Sequence, residues 1–156
     1  DSFFWIRIPV KSSKSDILIK DVCIDNSLDW KNDHKKTFLS NYGKEYEKIE
    51  FLQEIYKHNW QKLSDFNIEF ITKCCEFLEI GTKLVKSSDM NCEGTKGDLV
   101  LDICKNLGAT EYLSGAAGAN YLEDYRKKFD GNNIRITSCQ IWLFKRLFKV
   151  FFKLSN

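Results

Sequence analysis

The chain opens on an alternating pattern. Over residues 3–10, Trp5 and Arg7 alternate with Phe4, Ile6 and Ile8, the period-two signature of a half-buried strand. Residues 11–16 are polar and read as a turn. Residues 17–25 alternate again, with Ile19, Asp21 and Cys23 on one side and Lys20, Val22 and Ile24 on the other, which predicts the second strand of an N-terminal hairpin. The period then lengthens. Asn26 offers an N-cap oxygen, Asp29 complements the free N–H groups at the third helical position, and Gly43 supplies a stop. A second helix over residues 45–58 buries Ile49, Leu52 and Ile55 or Tyr56. A third runs from about Trp60 to Glu79, with Leu63, Phe66 or Asn67, Phe70, Cys74 and Phe77 along its stripe and Gly81 at its end.

From Thr82 the pattern changes again. Residues 82–86 predict a short strand, residues 95–107 a helix ended by Gly108, and residues 110–113 a strand. A helix over about 119–129 and a last strand over 134–137 follow, and Thr95 with Asp98 forms a weakened capping box. Strand, helix, strand, helix, strand with connections this short implies parallel pairing through right-handed crossovers. The expected fold is α/β: a three-layer Rossmann-like parallel sheet with a helical insertion at about residues 27–80 and the N-terminal hairpin. Residues 1–138 are expected to form one domain, with residues 139–156 as a tail.

Composition narrows the function. The 156 residues are 43% hydrophobic and 29% charged, which is globular, and a net charge of +2 gives no case for nucleic-acid binding. Six cysteines without a CxxC pair and two histidines argue against zinc and against a disulfide framework, and free thiols fit a reducing cytoplasm. No cofactor motif is found. The expectation is a soluble cytoplasmic chain, with no signal peptide and no apolar run of about 18 residues.

The charge is unevenly spread. Residues 132–156 hold five basic side chains and no acidic one, so residues 1–131 carry −3. Over residues 141–154, Lys145, Lys149 and Lys153 fall on one helical stripe beside Arg146, and Trp142, Phe144, Leu147, Phe148 and Phe151 are among those covering the rest. Such a basic amphipathic segment fits a peripheral membrane contact or a partner groove, a helix packed on the sheet, or a stretch foreign to the fold.

Chemistry is expected at the carboxyl ends of parallel strands. One loop there carries Lys86, Ser87, Ser88 and Asp89, with Gly94-Thr95-Lys96-Gly97-Asp98 at the next helix start. The other is Ser114-Gly115-Ala116-Ala117-Gly118, leading to Asn120-Tyr121. Small residues at a helix N-terminus let a phosphate approach unpaired N–H groups, and Lys86 or Lys96 could add a counter-charge. The same residues also suit a plain strand-to-helix turn. Asp89 fits a general base, a ligand for a sugar hydroxyl, or an Asx turn. Trp30 and His34, four apart on one helix face, fit an acid/base and stacking platform or a packed core pair. No serine or cysteine stands in a nucleophile context.

These residues together resemble the WbqC-like family. The resemblance is carried by Val22-Cys23-Ile24-Asp25-Asn26-Ser27-Leu28-Asp29-Trp30 with His34, Thr37 and Asn41-Tyr42; by Thr82-Lys83 with Ser87-Ser88-Asp89; by Gly94-Thr95-Lys96 and Leu101-Asp102-Ile103-Cys104; and most specifically by Tyr112-Leu113-Ser114-Gly115-Ala116-Ala117-Gly118-Ala119-Asn120-Tyr121-Leu122. It covers about residues 3–128. Two departures stand out: the family's N-terminal His-Gln-Pro segment is expected to be missing, and the basic aromatic tail replaces the family's His-Pro and Gly-rich continuation. The resemblance implies work on a phosphorylated or nucleotide-linked sugar in bacterial surface-polysaccharide (O-antigen) biosynthesis, with acyl or aminoacyl transfer to an amino sugar as a plausible reaction. It implies that Ser114, Gly115 and Gly118 hold a phosphate with Lys96, and that Ser87, Ser88 and Tyr121 line the site. Asp89 would bind a hydroxyl or act as base, with Trp30 and His34 flanking the sugar. The competing expectation is a non-catalytic nucleotide- or partner-binding α/β module.

Overall fold

The computed structural model describes residues 4–12, 16–115, 118 and 121–139. The basic aromatic stretch at 141–154 lies outside them. The chain forms two compact units, residues 1–84 and 85–156.

The first unit is built around one buried extended segment. Ile24 is fully buried, bridged antiparallel to Val10, while Cys23 is bridged antiparallel to Lys62. Lys11 N–H donates to Cys23 O (3.0 Å) and Asp25 N–H to Pro9 O (2.9 Å) on one side; Ile24 N–H donates to Gln61 O (2.9 Å) and Leu63 N–H to Val22 O (3.0 Å) on the other. Among the described residues the expected hairpin is thus reduced to the one Val10–Ile24 bridge. Its second strand is interrupted by a 3₁₀ turn at Ile19–Asp21, where Ile19 is 74% exposed. An apolar residue that finds nothing to pack against cannot hold a strand's register.

Four helices follow: α1 (Trp30–Tyr42), α2 (Lys44–Glu47), α3 (Glu50–Lys57) and α4 (Leu63–Phe77). α1 starts later than Asn26, because that side chain is already committed. It donates to Trp60 O (2.8 Å) and accepts from Trp30 Nε1–H (3.2 Å), and Ser27 closes a turn on Asp25. The single helix expected over 45–58 breaks at Lys48–Ile49. Tyr46 is buried, stacked on Phe38 at 5.1 Å, whereas Ile55 is buried in a cluster with Ile24, Trp30 and Phe66 of α4. At about 100° per residue, an unbroken helix would put Tyr46 and Ile55 on opposite faces. The break lets both be buried. α4 ends on Glu79 rather than Gly81: Glu79 takes φ 55°, with Ile80 N–H donating to Cys75 O (2.8 Å) and Glu79 N–H to Glu76 O (3.1 Å), a Schellman motif.

The second unit pairs β1 (Glu111–Gly115) with β2 (Arg135–Cys139) in parallel, Glu111 against Arg135 through Gly115 against Cys139. α5 (Lys96–Asn106) precedes β1, and the crossover between the strands ends in α6 (Arg126–Gly131). Leu101, Cys104, Leu122, Phe129 and Ile134 form the core, with Tyr112 and Ile136 packed against it from the sheet. The other sheet face shows Leu113, 63% exposed, beside the Glu111–Arg135 ion pair. The α5 end at Gly108 (φ 64°) is as the sequence predicts, whereas Thr95 makes no side-chain cap, so the expected capping box does not form. Among the described residues, 82–86 pair with no strand. Leu84 and Val85 are adjacent and both about half exposed, so the segment has no single face to bury. The structure is α/β, but among the described residues the Rossmann-like sheet amounts to this one β–α–β unit.

Candidate functional site

In the second unit, Ser114 ends the inward face of β1 and is 2% exposed. Its hydroxyl donates to Gly115 O (3.1 Å), and a Cβ on Gly118 would collide with the same oxygen. The backbone at Gly118 therefore rides directly on the Ser114 hydroxyl. Gly118 O then accepts from Leu122 N–H (3.0 Å), which seats Leu122 in the core and leaves Tyr121 on the surface. Gly115 is exposed at the strand end.

The start of α5 comes to the same neighbourhood through a contact that the sequence does not announce. A Cβ on Gly97 would collide with Cγ and both Cδ atoms of the Tyr125 ring, so the first turn of α5 lies flush against that ring. The Tyr125 ring is 6.2 Å from that of Tyr121, in the segment following the Ser114–Gly118 turn. Lys128 locks the arrangement, its ammonium 2.6 Å from the Asp98 carboxylate and 5.5 Å above the Tyr125 ring. Asp98 holds the Lys128 ammonium above its usual range by hydrogen bond and charge. Lys96, on the residue before Gly97, takes φ 54°. A left-handed conformation is costly for lysine, and such strain is often held at working sites. Asp102 anchors the preceding loop, accepting from Glu93 N–H at 2.9 Å.

Ser87, Ser88 and Asp89 form a 3₁₀ turn, all exposed, with Ser88 Oγ–H donating to Asp89 at 3.3 Å. In this geometry Asp89 is a solvent-facing carboxylate. The described thiols Cys74, Cys92 and Cys104 have their pKa pushed up by burial, the opposite of what a nucleophile needs. Among the described residues, no group of three His, Cys, Asp or Glu side chains is placed to hold a metal.

Trp30 and His34 belong to the first unit, and the structure brings them together inside its core. Their rings are 5.2 Å apart and each residue is 4% exposed. Phe66 and Tyr56 pack on Trp30, with ring centroids at 5.6 and 5.9 Å. Both nitrogens of His34 are in use. Nε2 faces Arg7 O (2.9 Å), an acceptor only, so it carries the proton; Nδ1 then accepts from Tyr56 Oη–H (2.9 Å). Burial lowers the pKa of His34, against the opposing Arg7 hydrogen bond and the Asp33 charge. The pair thus offers no free nitrogen and little ring face to a ligand. A depression of about 260 Å³ over the start of α1 is lined by Asn26, Ser27, Asp29, Trp30, Lys31 and Asn59 among others.

Sequence reasoning named Gly97 and Asp98 in the candidate loop but missed their partners, Tyr125 and Lys128. The one available signal was the second glycine of Gly94-Thr95-Lys96-Gly97, a poor helix former placed just inside a helix start.

No solved structure matches the chain. The uncharacterized protein Rv1507c of Mycobacterium tuberculosis (strain ATCC 25618 / H37Rv) is 29% identical over 138 residues, which are 85% of this chain and 58% of that protein. The chain thus spans little more than half the length of this curated relative. The model of the WbqC-like protein family matches residues 1–152, which includes most of the basic aromatic stretch. The chain belongs to the WbqC-like protein family.

Proposed function

We propose that the second unit binds the phosphate of a phosphorylated or nucleotide-linked sugar, between the turn that follows β1 and the first turn of α5. The observation that carries this reading is the flush packing of Gly97 on Tyr125, which draws the Lys96 loop beside the segment that follows the Ser114–Gly118 turn. Ser114, Gly115 and Gly118 supply a small-residue turn, Lys96 a cation, and Tyr121 an exposed ring for the sugar or base. Ser87, Ser88 and Asp89 supply hydroxyl-binding groups. The biological setting that fits is bacterial surface-polysaccharide (O-antigen) biosynthesis in the cytoplasm, with the β–α–β unit as the nucleus of a Rossmann-like sheet in one α/β domain. The corresponding reaction is acyl or aminoacyl transfer to a nucleotide-linked amino sugar, with Asp89 as base. Trp30 and His34 take a structural role in this reading.

A non-catalytic nucleotide- or partner-binding module is favoured by one set of observations. His34 has both nitrogens engaged, and Asp89 stands in solvent without a desolvating wall.

The test is a thermal-melt series with nucleoside diphosphates, nucleotide-sugars and acyl donors. A ligand that binds only the folded state adds about 2.7 kcal/mol of stability at a hundred times its dissociation constant. Gly115→Glu places a carboxylate at an exposed position, so it is expected to remove the shift while leaving the unliganded melt in place. A shift that survives Gly115→Glu would move the ligand elsewhere. Turnover lost in Asp89→Asn with binding retained would select the enzyme over the module.

A further inference from the structure

The first unit carries a buried histidine whose two hydrogen bonds tie three separate stretches of chain together. His34 stands on α1, its Nδ1 faces Tyr56 on α3, and its Nε2 faces the carbonyl of Arg7 in the segment that crosses α1 before Val10. That segment has no secondary structure of its own. Among the contacts that hold it are the His34–Arg7 bond, the two backbone bonds that join Pro9 and Lys11 to Asp25 and Cys23, the edge-on contact of Phe4 with Tyr42 at 5.8 Å, and Ile8 against the core. The α1 and α3 sides, in contrast, are locked by Trp30, Ile55 and Phe66.

We propose that His34 is a proton-operated bolt, and that protonating its ring releases the strap formed by residues 4–11 from the helical unit.

A charge on the buried ring needs water or a counter-charge. In the closed state the Nε2 proton goes to Arg7 O, and Nδ1 has only the Tyr56 hydroxyl. A second ring proton on Nδ1 forces that hydroxyl to turn and accept, which breaks the donation it makes to the neutral ring. The ionisable groups around the ring do little to offset this. Asp33, next along α1, favours the charged ring but is exposed; Tyr56, and Tyr46 behind it on α2, stay neutral because burial raises both pKa values; Arg7 presents its carbonyl; α4 presents Phe66. An imidazolium here must be hydrated. Opening the helices exposes Trp30, Ile55 and Phe66, whereas lifting the strap gives up its hydrogen bonds with the Phe4 and Ile8 contacts and hydrates the ring directly.

If the strap opens with the ring at an ordinary pKa near 6.5 and closes only on the neutral ring, its open fraction rises by a factor approaching ten between pH 7.5 and pH 5.5. The experiment is hydrogen exchange on the full chain at these two pH values, corrected for intrinsic rates, read on peptides covering residues 4–11 and on peptides from α3 and α4 as controls. The expected result is a loss of protection approaching tenfold, confined to the strap. In His34→Gln the amide donates to Arg7 O and accepts from Tyr56 without titrating, so strap protection is expected not to change with pH. Equal protection at both pH values in the wild type, or an equal loss in His34→Gln, overturns the proposal. So does a ring NMR titration of His34 in the wild type with a pKa at or above 6.5, a readout that does not depend on the variant folding. The test involves no ligand, so its outcome is independent of the sugar-phosphate reading.

Discussion

Replacing Gly97 with alanine separates two effects of known size. Gly97 lies in the first turn of α5, where alanine is the better helix former by about 0.8–1 kcal/mol. Helix propensity alone therefore makes Gly97→Ala stabilising. The packing opposes it, because the new methyl would fall on the Cγ and both Cδ atoms of Tyr125. Those atoms are the near end of a ring that packs against the second unit's core, so the neighbour cannot simply swing away. Overpacking of this kind costs about 1–3 kcal/mol, and the expected net effect is a loss of about 0–2 kcal/mol. Urea melts followed by far-UV circular dichroism read this as a lower midpoint at unchanged slope. The cycle with Tyr125→Ala completes the argument: with the ring gone, Gly97→Ala should regain its helix-propensity gain of up to about 1 kcal/mol. A Gly97→Ala protein more stable than the parent, or one whose effect is the same with and without the Tyr125 ring, would refute the close packing that unites the two loops.

Other outcomes follow from single observations. Glu79→Gly places the residue best suited to φ 55° at the end of α4 and should stabilise the first unit by about 0.5–1 kcal/mol, while Gly108→Ala at φ 64°, with open space around it, should cost a similar amount; thermal melts of both variants check the pair. Tyr56→Phe removes the donor to buried His34 Nδ1 and should cost about 1–3 kcal/mol, read by tryptophan fluorescence in a denaturant melt. Acid should weaken the first unit through His34. Its folded pKa lies below the unfolded value near 6.5, so the unfolded chain binds the proton more readily. The stability is complete above pH 6.5 and falls by up to about 1.4 kcal/mol per unit as pH drops from there toward the folded pKa, a slope His34→Gln should flatten.

What the sequence shows depends on whether the deciding interaction is local. α5 and the strands on either side of α6 are legible because periodicity and the glycine at 108 act within a few residues of each other. The α2–α3 break is not, because it exists to satisfy Phe38 on one side and the Phe66 cluster on the other. The stop of α4 at Glu79 is hidden behind Gly81, two residues on, which looks like the obvious terminator. The N-terminal alternation is real, yet the register it implies fails where Ile19 meets solvent. At the site, the need for a small residue at Gly118 beside Ser114 is legible from composition, as is the Trp30–His34 pairing from its spacing. Their settings are not: the Tyr125 ring over Gly97 and the Arg7 carbonyl on His34 come from residues 28 and 27 positions away.

The most direct measurement is an amide NMR titration of the ¹⁵N-labelled chain with a nucleoside diphosphate and its sugar conjugates. The account predicts saturable shifts confined to the amides of residues 94–97 and 114–121, larger for the diphosphate-bearing ligands than for the free sugar. Shifts clustered in residues 26–31, or none at any concentration, would contradict it.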